Sequence, residues 1–172
     1  FFYQVRQALG SLPLVAEDLG VITPEVTELR EAFGLPGMKV LQFAFSGDPV
    51  NPFLPHYHRP GYVVYTGTHD NNTVCGWWME ELDDGLREWI LDYLGWPAEV
   101  MPWPLVRAAL ASVANTAVIP LQDLMGLGSE ARMNTPATTE GNWAWRFHWD
   151  EVPEGRAEAF RHLLALYGRL VA

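Results

Sequence analysis

The sequence predicts an α/β fold: a parallel sheet of four strands, read as the C-terminal half of a (β/α)8 TIM barrel. Three observations lead there. Short continuous apolar runs alternate with amphipathic segments, as strands buried on both faces of a parallel sheet alternate with their crossover helices. Acidic, amide and histidine residues fall directly after those runs, where a barrel gathers its functional loops. No G-x-G-x-x-G appears, so the competing open doubly wound sheet lacks its dinucleotide signature. A full barrel takes about 250 residues. This chain has 172, so residues 1–172 are read as the C-terminal part of a larger barrel.

The elements follow in order. Phe1–Leu9 carries Phe1, Phe2, Val5, Ala8 and Leu9 at helical spacing, and Gly10 suits its end. Leu12–Ala16 (LPLVA) is the first apolar run and ends in Glu17–Asp18–Leu19–Gly20. Thr23 then caps a helix with Pro24 at its first position and Glu25 at the positive end of its dipole. Val26, Leu29 and Phe33 are its expected buried stripe, and Gly34 its stop. Met38–Phe45 reads as the second strand and Gly61–Thr66 as the third, running into Gly67–Thr68–His69–Asp70–Asn71–Asn72. Helices are expected over Thr73–Leu82, Asp84–Leu94 and Trp103–Val113. Thr116–Leu121 is the fourth strand, ending in Gln122–Asp123, and a last helix spans Glu154–Val171. Half a barrel leaves two sheet edges open, so the chain alone is expected to associate through them.

Composition removes several functions. A net charge of −10 argues against binding a phosphate backbone. An apolar content of 49% excludes a disordered chain. No apolar run approaches the ~20 residues of a membrane span. No basic leader with an apolar core is present, so a cytoplasmic protein is expected. Cys75 is the one cysteine, which excludes an intrachain disulfide; it is read as a small buried residue.

Glu17 and Asp70 are the sharpest pair, each just after an apolar run. Two carboxylates facing one cleft suit glycoside chemistry, one as proton donor and one steadying an oxocarbenium-like centre. Acids after strands also cap helices, and that reading stays open. Asp18 is the structural member of its pair, because neighbours on a strand point to opposite faces. His69 beside Asp70 suits a sugar-binding or a metal pair. His56 and His58 have H-x-H spacing, but they sit in a Pro-rich loop and read as exposed loop residues; no metal is expected. Eight tryptophans suit an oligosaccharide groove or a core. Trp78 and Trp89 are read as core, and no tryptophan is assigned to substrate. The run Arg132–Thr138 offers donors and acceptors for sugar hydroxyls, or a self-satisfied loop. No G-x-S-x-G marks a serine nucleophile.

Several segments together resemble the amylomaltases, the 4-α-glucanotransferases of glycoside hydrolase family 77. They are Ala16–Gly20 (AEDLG), Gly37–Phe43 (GMKVLQF), Asn51–His56 (NPFLPH), Tyr65–Asn71 (YTGTHDN), Pro120–Asp123 (PLQD) and Gly128–Pro136 (GSEARMNTP). The resemblance covers nearly the whole chain. It implies a (β/α)8 barrel and a retaining, double-displacement transfer between α-1,4-glucans and maltooligosaccharides, with no cofactor. By motif match, Glu17 resembles the general acid/base and Asp70 the carboxylate that steadies the transition state. His69 resembles the histidine that bonds the sugar there, and Asn134 lies in a loop along the glucan groove. The family's nucleophile is an Asp in an Arg-x-Asp motif that would precede Phe1. Without that segment the chain is expected to be inactive, and a non-catalytic α-glucan-binding half-barrel is the alternative. Smaller departures are Asn115, where Asp is common in the family, and Ala137, where Gly is common. Ser46–Gly47–Asp48 falls where the family carries more acid, so Asp48 is given no binding role.

Overall fold

The computed structural model describes residues 1–11 and 13–170. Among these, β1 (Gly37–Val40), β2 (Tyr62–Tyr65) and β3 (Thr116–Val118) form one parallel sheet in chain order. Met38 lies opposite Val63, and Val64 opposite Ala117. Parallel neighbours in chain order require a crossover after each strand. The first passes through a one-turn helix, α3 (Leu41–Ala44), and the Pro-rich loop. The second runs through α4 (Val74–Gly76), a π-helical turn Trp77–Glu81, α5 (Asp84–Tyr93) and α6 (Trp103–Ala111). Helices α1 (Phe2–Leu9) and α2 (Pro24–Ala32) precede the sheet; α7 (Leu121–Met125) and α8 (Arg156–Leu166) follow it.

The core lies between the sheet and the crossover helices, around Leu41, Val64, Val74, Ile90 and Leu105, all fully buried. Each such side chain contributes about 2 kcal/mol by leaving water. A second cluster of Val106, Leu110 and Leu163 fastens α8 to α6. Arg169 completes that join. Its guanidinium donates to the carbonyls of Leu110 (2.7 Å), Ser112 (2.6 Å) and Ala114 (2.8 Å), where α6 runs out toward β3. A helix end leaves such carbonyls without partners of its own.

Three of the four expected strands are found, each shorter than its apolar run. Met38–Phe45 divides after Val40, and α3 buries Leu41, Gln42 and Ala44 instead. A buried strand and a buried helical turn are the same pattern when the run is short. The expected strand Leu12–Ala16 is not formed by its described residues. Leu12 lies outside them, residues 13–19 take no regular form, and Leu14 and Val15 are about half exposed. One main-chain bond, Ala16 N–H to Pro36 O at 2.8 Å, ties the segment to the chain entering β1.

Helix α2 also departs from expectation. Val26 and Leu29 are exposed, and the buried residue is Arg30. Its guanidinium donates to Leu35 O (3.0 Å), pairs with Asp18 (3.4 Å) and lies 4.9 Å from the centre of the Tyr62 ring. Burying an arginine is tolerable because charge, carbonyl and ring all face it. The helix expected over Thr73–Leu82 forms, but its second half widens to π geometry at Trp77–Glu81. The last helix is shorter than Glu154–Val171. It starts after Gly155 and stops before Tyr167–Gly168, both glycines at positive φ, while Val171 lies outside the described residues. Trp78 and Trp89 do pack on the core, but the tryptophan buried in it is Trp77. No described helix is long and apolar enough to cross a membrane.

Candidate active-site cleft

The loop after β2, residues 67–73, carries the two central side chains. It is closed upon itself: the Thr68 N–H and Oγ1–H both donate to Asn71 Oδ1, at 2.9 and 3.0 Å. Gln42 supports it from below, with Nε2 donating to Asn72 O at 2.8 Å, in space a Cβ on Gly67 would occupy. Asp123 pins both its ends. Thr66 Oγ1 donates to one carboxylate oxygen (2.6 Å) and the Val74 N–H to the other (2.8 Å). Asp123 is 1% exposed, so this acid after β3 is a buried clamp and not a residue of the open rim. Burial pushes its carboxyl above the ordinary range, against the pull of its two donors.

A cleft of about 610 Å³ opens over the strand ends. Glu17, Phe43, Tyr65, His69, Asp70 and Pro136 are among the residues lining it. Glu17 and Asp70 therefore face one space, as their positions after apolar runs predict. Glu17 is set there by its neighbour. Asp18 turns away, accepts the Met38 N–H at 2.7 Å and pairs with Arg30. Gly37 makes that approach possible, because the Asp18 carboxylate fills the place of a Cβ. Across from it, burial first and then the Glu17 charge raise the Tyr65 phenol above its usual pKa.

Asp70 meets two of the expected partners. Asn134 Nδ2 donates to Asp70 Oδ1 at 2.6 Å, and His69 Nε2 stands 3.3 Å from the same oxygen. The Asn134 N–H also bonds His69 O at 3.0 Å. So Glu17, His69 and Asp70 share the cleft, and Asn134 reaches Asp70 from a loop 64 residues further on. The Asp70 and His69 side chains are 46% and 52% exposed, open to a ligand.

Two residues in this cluster are not assigned by sequence reasoning. Arg132 donates to the main-chain carbonyls of both Asp70 (2.8 Å) and Asn134 (2.9 Å). Trp143 lays its indole 5.0 Å from the His69 ring at 35°, with φ at 59° and its main-chain N–H donating to Met133 O at 2.7 Å. Trp143 sits in a Gly- and Asn-rich stretch with no periodicity, so the one available signal was a tryptophan where loops avoid large apolar groups. The rest of the loop is partly self-satisfied. Thr135 N–H bonds Asn142 Oδ1 and Thr138 Oγ1 bonds Thr135 O.

The histidines of the Pro-rich loop part company. His56 is exposed and bonds Tyr93 OH at 2.9 Å. His58, expected on the surface, is buried, with its ring nitrogens on Ser112 Oγ (2.7 Å) and Phe53 O (2.9 Å). Among the described residues no group of three His, Cys, Asp or Glu side chains is arranged to hold a metal ion. Cys75 is half-buried, and burial raises its thiol pKa.

Comparisons with known proteins agree on one family. The family model described as 4-alpha-glucanotransferase matches residues 1–151. The 4-alpha-glucanotransferase of Synechocystis sp. is 51% identical, over 99% of this chain and 34% of its own length. The chloroplastic/amyloplastic 4-alpha-glucanotransferase DPE1 of Arabidopsis thaliana is 49% identical, over 98% of this chain and 30% of its own. Among solved structures, the amylomaltase of Streptococcus agalactiae in complex with acarbose superposes with a TM-score of 0.92 at 32% identity. That match covers 98% of this chain and 34% of the other. The chain thus spans about a third of the length of the relatives it matches.

Proposed function

The chain belongs to the 4-alpha-glucanotransferase family, and from that premise we propose that it is the C-terminal half of a (β/α)8 barrel transferring α-1,4-glucan segments between maltooligosaccharides. The observation that carries this reading is Glu17 and Asp70 lining one cleft, with Asn134 and His69 on one oxygen of Asp70. The other oxygen is then free to accept a sugar hydroxyl.

The chemistry follows from two carboxylates and a third supplied by the rest of the enzyme. The Glu17 carboxyl gives its proton to the glycosidic oxygen as the bond from that oxygen to the anomeric carbon breaks. A carboxylate in the expected Arg-x-Asp segment before residue 1 bonds that carbon, and the donor's far end departs with a free 4-hydroxyl. The Glu17 carboxylate then takes the proton from an acceptor 4-hydroxyl, whose oxygen displaces the enzyme carboxylate. Two inversions give net retention. Asp70 holds a fixed negative charge near the carbon while it is oxocarbenium-like. Exclusion of water by a sugar in the acceptor site decides for transfer over hydrolysis. The cytoplasm is the proposed compartment.

The test is the product ladder from maltotriose with the full-length protein encoded by the gene. Glucose plus longer maltooligosaccharides is expected, and Glu17→Gln should lower kcat by ~10³-fold or more with a small change in affinity. Shortening alone would make the enzyme a hydrolase. Binding without any product would make it a non-catalytic glucan-binding protein.

A further inference from the structure

We propose that Arg132, braced by Glu81, is the positioning residue that holds Asn134 against Asp70; this rests on the transfer reading above only for what the pair does to turnover. The inference starts from a problem of rigidity. Asp70 and Asn134 both lie in loops, 64 residues apart in sequence. Loop segments move unless something fixes their main chain. Their 2.6 Å contact is short for a side-chain bond between two loops.

The Asn134 N–H on His69 O ties the two loops at one point, and Arg132 fixes the main chain on either side of it. Its Nη2 donates to Asp70 O at 2.8 Å and its Nε to Asn134 O at 2.9 Å. One planar fork therefore grips the main chain of both partners. A guanidinium can do this because its donors are rigidly spaced, whereas an ammonium offers a single point. The third arm points to a carboxylate: Nη1 lies 3.7 Å from Glu81 Oε1. Glu81 is held in turn by Asn72 Nδ2, which donates to the same Oε1 at 2.9 Å and to Ser129 Oγ at 2.9 Å. Asn72 belongs to the Asp70 loop, and Ser129 to the turn leading into Arg132. The brace thus closes a ring from one loop, through Glu81, back to the other.

The π-helical turn gives this an independent support. Glu81 is the last residue of the widened segment Trp77–Glu81. Such turns are uncommon and gather at functional sites. Here it delivers a carboxylate to Arg132 from a segment expected to be plain α-helix. Arg132 does not touch the sugar in this account. It acts through Asn134, and through Asn134 on Asp70.

The experiment uses the full-length protein with Arg132→Gln, Asn134→Ala and the double variant, assayed on maltotriose. Arg132→Gln should lower kcat by about tenfold, as much as losing the Asn134 contact itself, with KM within about twofold, because a displacement near 1 Å at the reacting centre is worth up to ~10²-fold. Adding Asn134→Ala should lower it little further, since both act on one contact. Arg132→Lys should not restore the rate. Additive losses, a change confined to KM, or a fall in melting temperature with normal kcat would overturn the proposal. A crystal structure of the Arg132→Gln protein gives the second reading. The separation of Asn134 Nδ2 from Asp70 Oδ1 should open beyond hydrogen-bond range, and an unchanged contact would overturn the positioning role. That structure decides the matter even if the parent makes no longer glucan, an outcome that counts against the transfer reading instead.

Discussion

Asp123→Asn would separate the charge of the buried clamp from its shape. The carboxylate is 1% exposed and takes one bond from Thr66 Oγ1 and one from the Val74 N–H. Burial holds its pKa above the ordinary value. The native state therefore keeps this proton to higher pH than the unfolded chain, whose aspartates titrate near ~3.9. Stability from this group is full below that value and is lost as pH rises through the native pKa. The slope is at most about 1.4 kcal/mol per pH unit for one proton. Asparagine keeps both bonds: its oxygen accepts from Val74, and its NH₂ donates to Thr66 Oγ1 once that hydroxyl rotates. Asp123→Asn should then stabilise the protein, by an amount that grows with pH above about 4 and levels off past the native pKa. Asp123→Ala should cost about 2–4 kcal/mol, because it leaves a buried N–H without a partner and frees the hydroxyl. Urea unfolding midpoints of the full-length protein from about pH 4 to pH 8 measure all three proteins across the window. Midpoint curves that run parallel for the parent and Asp123→Asn would refute the argument.

Other outcomes follow from single contacts. Asn134→Ala removes a charge-assisted donor worth ~1.5 kcal/mol at a half-exposed acceptor, so kcat on maltotriose should fall about tenfold with little change in melting temperature. Ala137 sits at φ 64°, in the left-handed region; Ala137→Gly should stabilise by about 0.5–1 kcal/mol, read as a higher urea midpoint. Burial holds the His58 ring below its usual pKa, so its contribution is present above about pH 6.5 and lost as pH falls through the native pKa. His58→Gln should flatten the acid side of the stability profile, which denaturation at falling pH would record.

The sheet was legible because β1, β2 and β3 each sit inside a dense apolar run, and only their lengths were overestimated. A run has no mark for the point where a buried strand becomes a buried turn, as it does at Leu41. Leu12–Ala16 and the α2 stripe misled for a different reason. Apolar pattern tells which side chains need cover, not whether the cover lies within these residues, and Leu14, Val26 and Leu29 find none here. Arg30 and His58 were unreadable because a polar residue is buried by its partners, and those stand up to 54 residues away. In the cleft, Glu17, His69 and Asp70 were legible from their places after apolar runs. Asn134 was legible as one polar residue of the run 132–138, and singled out within it by family resemblance. Arg132 and Trp143 act across 62 residues and more, in a loop whose sequence carries no period. The backbone at position 137 turns left-handed, which suits the glycine that the family resemblance leads one to expect there.

The fork of Arg169 on the carbonyls of Leu110, Ser112 and Ala114 has a consequence for proteolysis. Trypsin needs an arginine whose flanking chain can be drawn out extended into the enzyme. Arg169 cannot be offered in that way while its guanidinium is engaged and α8 lies on α6. The bond after Arg169 is therefore cut only from molecules in which that fork has let go of the end of α6. Its cleavage rate, set against that of exposed Arg146, is a clock for the release of the chain end beyond α8.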